Sequence, residues 1–83
     1  MAQINPILRV TTGTPVYEAN GSKIGKVGEV RGGAFRVETG LFQRDYWLGA
    51  ESIDSAVSGD AVMLSVTKND IGAHKVSEPT KVA

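Results

Sequence analysis

Apolar and polar residues change places at every second position through Ala34–Thr39. Phe35, Val37 and Thr39 fall on one side of the chain, and Arg36 and Glu38 on the other. That period belongs to a strand with one buried face. Ala61–Val66 repeats it, with Val62, Leu64 and Val66 inward and Met63 outward. Pro15–Glu18 reads as a strand whose proline stands at its first position, where a missing N–H is tolerated. Asp45–Leu48 and Ile53–Val57 add two more short strands. Asn20-Gly21, Gly32-Gly33, Gly49–Ser52 and Ser58–Asp60 separate these runs, and Asn-Gly is the strongest short hairpin signal of the group.

Ile24–Arg31 departs from the period of two, because its apolar residues stand at 24, 27 and 30. A period of three suggests a helix, yet Gly25 and Gly28 would cost such a helix about 2 kcal/mol. A strongly bent strand with a bulge near Gly25 or Gly28 accounts for the same residues. Thr67 is placed to start one helical turn through Ile71. Before residue 13 only Pro6–Val10 suggests structure, as an added edge strand, and after Ile71 the pattern dissolves into polar residues. The expected organisation is an N-terminal arm over 1–12, a β-barrel domain over 13–71 and a C-terminal tail over 72–83, with both ends flexible.

At 83 residues the chain fits one domain. A domain of this size buries only about 60% of the surface its unfolded chain exposes, which leaves little interior for a deep substrate pocket. Nine Lys and Arg balance nine Asp and Glu, with the signs interspersed. Nucleic-acid binding usually rests on an excess of cations that displaces phosphate counterions, and there is none overall. Near-zero net charge also removes a barrier to self-association. The absence of cysteine excludes disulfides, thiolate nucleophiles and zinc–sulfur sites. No apolar run approaches the ~20 residues of a membrane helix, and the N-terminus lacks a signal-peptide pattern. The expected location is cytoplasmic, with peripheral association with a membrane complex left open.

The order of motifs resembles the PRC-barrel superfamily. Val16–Val27, a strand running through Asn20-Gly21 into Ile24-Gly25, is similar to its opening hairpin, and Phe35–Gly40 to its third strand. Asp45–Ile53 looks like the aromatic-aliphatic strand and short turn, and Val62–Lys68 like the closing strand. The resemblance spans about residues 13–71 and is nearest to short, stand-alone bacterial members. Gly49 departs from it, since proline is common there. The resemblance implies an all-β fold: a small, partly open SH3-like β-barrel of five to six short antiparallel strands, acting as an adaptor. Relatives occur in the H subunit of photosynthetic reaction centres and in a ribosome-maturation factor. No catalytic or cofactor residue belongs to the superfamily, so none is carried over.

Searched for chemistry, the chain offers little. His74 is the only histidine and lies in the polar tail, whereas a general base needs a fixed position beside its substrate. Glu38 and Arg36 share an outward face, where ion pairing is the simpler role for a carboxylate. Ile24-Gly25-Lys26-Val27-Gly28 spells the Ile-Gly-x-x-Gly core of a KH domain, but a KH loop joins two helices and these flanks are turns. No catalytic residue, metal ligand or cofactor is therefore assigned.

Aromatic residues give the clearer lead. Tyr46 and Leu48 share one face of their strand, which leaves Trp47 on the other. Two placements satisfy this pattern: Trp47 as an exposed interface anchor, or Trp47 folded over an open barrel end. The expected function is a non-enzymatic interaction module that docks on a protein partner or on itself, through Trp47, Phe42, Met63, Arg36 and Arg44. The alternative is an RNA- or ribosome-associated factor using Lys23, Lys26, Arg31 and Arg36.

Overall fold

The structure, a computed structural model, describes residues 6–40 and 44–79. Among the described residues seven strands form one curled, open sheet: β1 Pro15–Tyr17, β2 Lys23–Arg31, β3 Ala34–Glu38, β4 Tyr46–Gly49, β5 Ile53–Val57, β6 Ala61–Leu64 and β7 Lys75–Val76. Their spatial order is β5-β6-β1-β2-β3-β4-β7. The chain is mostly β, as its alternation predicts, and the sheet wraps into a half-barrel.

Curvature comes from β2. Along this strand Val27 pairs with Val37 but Glu29 pairs with Arg36, so Gly28 is an extra residue opposite β3. On the other side Val16 pairs with Gly25 and Tyr17 with Lys23, which makes Ile24 a second extra residue opposite β1. Each bulge resets the side-chain alternation and increases the local twist. The apolar spacing at 24, 27 and 30 is the trace of these resets. Val27 is fully buried, and Ile24 packs against the core from the bulge. Glycine is needed where the sheet folds over itself: a Cβ on Gly25 would lie 2.3 Å from the Glu38 carbonyl oxygen.

The concave face holds Val16, Val27, Phe35, Val37, Leu48, Val62 and Leu64, all almost wholly excluded from solvent. Phe35, Val37, Leu48, Val62 and Leu64 are the inward positions that alternation predicts. Ile53, Ala56 and Ile71 extend this cluster.

Three features differ from the sequence expectation. First, β1 and β6 run parallel, with Val16 beside Val62 and Tyr17 beside Met63, while the other pairs are antiparallel. Second, Pro6–Arg9 is a 3-10 helix and not an edge strand; Ile7 and Val10 are buried in the core, so this part of the arm packs on the barrel. Third, the C-terminal stretch continues as structure through residue 79. Ile71–His74 makes one helical turn, and Lys75 and Val76 pair with Leu48 and Trp47 as a seventh strand. In a domain so small, these end segments supply apolar cover that the central strands leave open.

Candidate partner-binding surfaces

The convex face of the sheet divides into two areas of different chemistry. On β2 and β3 the outward charged residues form a ladder of ion pairs. Lys26 lies 4.0 Å from Glu38, whose Oε2 accepts from Arg36 at 3.2 Å. Arg36 in turn stands 4.0 Å from Glu29, and Glu29 accepts from both Nε and Nη2 of Arg31. Arg31 Nη1 then donates to Glu78 at 3.1 Å and to the Pro79 carbonyl oxygen at 2.9 Å. The hydrogen bonds that Arg31 donates, to Glu29 first and then to Glu78, hold its guanidinium protonated above its ordinary range. Opposite charges directly across an antiparallel pair are the arrangement that favours this register.

Trp47 belongs to this convex face, since it pairs with Arg36 and lies opposite the side occupied by Leu48. It is nevertheless only 6% exposed. The exposed placement of Trp47 is therefore corrected: it is a covered aromatic and offers no free docking surface. The reason is the C-terminal segment. Val76 pairs with Trp47 across β4–β7, and the Arg31 guanidinium sits 5.2 Å from the ring centroid. Nothing local to Asp45–Leu48 signals this cover, because it comes from residues about thirty positions downstream.

The second area lies on β5, β6 and β1. Val57 pairs with Ala61, and Ser55 with Met63. Met63 stands beside Tyr17, whose other neighbour is Lys23. Pro15 and Ala61 each stand one residue before the paired Val16 and Val62 of this parallel register. Ala61, Met63, Tyr17 and Pro15 are each half-buried, and Val57 is 56% exposed. Five apolar or aromatic residues on adjacent strands thus share one solvent-facing side. Alternation identified Met63 as outward, but not Tyr17 or Pro15 as its neighbours; that follows from the parallel β1–β6 pairing.

The four described residues expected to make the contact are thus not all brought together. Arg36 and Trp47 are neighbours, Met63 lies across β1 and β2 from them, and Arg44 is exposed on the connection between β3 and β4. Phe42 lies outside the described residues. Of the four cations proposed as a nucleic-acid patch, Arg31 and Arg36 are committed to carboxylates and Lys26 stands near one. A shallow cleft of about 420 Å³ lies at the start of β2, lined by Lys23, Lys26, Glu38 and Asp45 among others. Its lining carries two cations, Lys23 and Lys26, and two carboxylates, Glu38 and Asp45, and so has no excess of one sign.

One carboxylate is buried for a structural purpose. Glu18 is 2% exposed; its Oε2 accepts from the Ser22 N–H at 2.9 Å and its Oε1 from the Lys68 N–H at 3.2 Å. These bonds close the β1–β2 hairpin and tie it to the segment after β6. The Ser22 bond foremost, opposed by burial and helped by Lys68, holds the Glu18 carboxyl below its ordinary value. His74 is exposed on the single helical turn. Among the described residues no three His, Asp or Glu side chains gather as a metal site would require, and no helix is long and apolar enough to cross a membrane.

No family model, curated protein or solved structure matches the chain.

Proposed function

We propose that the chain is a non-enzymatic protein-interaction module, a PRC-like barrel that docks on a protein partner or a second copy. The observation that supports this reading is the contrast between the two halves of the convex face. On β2 and β3 the charged outward side chains satisfy one another through ion pairs, and Trp47 on β4 is covered. On β5, β6 and β1 the outward residues Val57, Ala61, Pro15, Met63 and Tyr17 have no polar partner to offer one another and stay in contact with solvent. Contiguous exposed apolar area of this kind marks interaction surfaces more often than it occurs on an isolated domain. The contact is thus centred on Met63 and Tyr17, with Trp47 behind its own cover. Balanced charge keeps a close approach between proteins free of net repulsion.

The test is the mass of the native assembly from the protein's own source, for the natural chain and for a Tyr17→Lys/Met63→Glu double variant. Both substituted positions are half-exposed, so the variant keeps the β-sheet circular dichroism of the parent. The reading expects an assembly heavier than one chain, lost in the variant. An assembly of unchanged mass in the variant contradicts it.

A further inference from the structure

The segment from Lys75 to Pro79 lies on the rest of the molecule as a bound peptide lies on a sheet edge. Its two strand residues add to β4, opposite Trp47 and Leu48. The Lys75 ammonium sits 4.7 Å from the centroid of the Tyr46 ring. Glu78 and the Pro79 carbonyl both bond Arg31, and the Pro79 ring lies against Gly32, where a Cβ would come within 3.2 Å. Main-chain pairing plus side-chain recognition at intervals is the pattern of strand addition to an open edge.

The hold is weak. Lys75 and Val76 are exposed, the pairing is two residues long, and the Glu78 side chain is 64% exposed. What the segment covers, by contrast, is firmly built: Trp47 is buried, and Arg31 is fixed from behind by Glu29.

We propose that the β4 edge, with Arg31 and Gly32, is an acceptor site for an extended acidic segment of a partner protein. That segment would carry a carboxylate followed by proline, and the chain's own residues 75–79 hold its place in cis. This site is separate from the apolar face of β5, β6 and β1 and does not depend on it. Arg31 selects the carboxylate, Gly32 admits the proline ring, and the free edge of β4 takes the backbone. The occupant in trans is a separate partner and not the tail of a second copy. Ile71 is anchored in the core, so at most about 14 Å of chain joins it to Lys75. Two copies would have to abut at this point to exchange tails. While the cis segment is seated, its high effective concentration makes any incoming segment compete for the edge.

The test uses the full chain and its single tryptophan, Trp47, as reporter. In Glu78→Lys the tail meets Arg31 with like charge, and acrylamide should quench Trp47 more readily than in the natural chain. A blocked peptide Lys-Val-Ser-Glu-Pro should then restore protection in a saturable way, whereas Lys-Val-Ser-Lys-Pro should not. The natural chain should need at least about tenfold more peptide for the same effect, because its own tail competes. Unchanged quenching in Glu78→Lys overturns the proposal, since the tail would then not be held as described. Increased quenching with no saturable response to the glutamate-bearing peptide overturns it as well. So does a Glu78→Lys chain that sediments as a dimer with Trp47 still protected, which would identify a second copy as the occupant.

Discussion

A methyl group on Gly25 would press on a backbone carbonyl, whereas one on Gly28 would meet the Glu38 side chain, its nearest atom 2.6 Å away. The backbone of β3 cannot move without opening the β2–β3 ladder, but the half-exposed Glu38 side chain can swing aside. Gly25→Ala is therefore expected to destabilise the fold by about 1–3 kcal/mol, as overpacked cores do. Gly28→Ala should cost clearly less, and urea midpoints of the two variants will rank them. Glu18 makes a prediction in pH. Its folded-state pKa lies below the ordinary value of 4.5, so its contribution to stability is complete above that pH. As the solution is acidified below it, the unfolded chain takes up the proton first, and stability falls until the folded carboxyl is protonated too. Urea midpoints measured between pH 6 and pH 3 should decline for the natural chain. Glu18→Gln should be less stable at pH 6 and show a shallower decline.

Between strands, β4 carries more than its length suggests, because it is covered on both faces. Leu48 fills the barrel, and Trp47 lies under β7 and Arg31. Trp47→Ala is expected to cost roughly 3–5 kcal/mol, as for a buried aromatic, and so to threaten the fold itself. Thermal unfolding of that variant distinguishes this from an interface residue, whose removal leaves the melting temperature near its natural value. Ile7→Ala should likewise cost about 2–4 kcal/mol by the same measurement, because the 3-10 helix of the arm packs into the core. The elements that could be read from the sequence are those whose determinants are local. Phe35 and Val37 alternate, Asn20-Gly21 and Gly32-Gly33 punctuate, and two glycines in Ile24–Arg31 call for bulges in place of a helix. What could not be read depends on distant residues. Nothing near Val16 or Val62 announces a parallel pair. Lys75 and Val76 look like tail until β4 offers them an edge. Which of its two placements Trp47 takes is not decided until that edge is filled. The candidate contact residues suffered most, because exposure belongs to the folded whole and alternation only assigns a side.

Across the molecule, one convex surface carries two kinds of chemistry, and neither makes the protein strongly dependent on salt. The ladder from Lys26 to Glu78 consists of partly exposed pairs, each contributing little to stability and screened by salt. Raising sodium chloride to ~1 M, where the screening length falls to about 3 Å, should therefore change the stability of the free chain only slightly. Association through Val57, Ala61, Pro15, Met63 and Tyr17 should also persist at high salt, because apolar burial does not depend on counterions. An affinity that collapses steeply with salt would point to phosphate contacts instead. The most direct test of the docking face is residue-resolved amide hydrogen exchange on the chain, free and in its native assembly. Added protection is expected on β1, β5 and β6, around Tyr17, Val57 and Met63, with the outer residues Glu29, Arg36 and Glu38 unchanged. Protection appearing on Glu29, Arg36 and Glu38 while Tyr17, Val57 and Met63 exchange as before would contradict it.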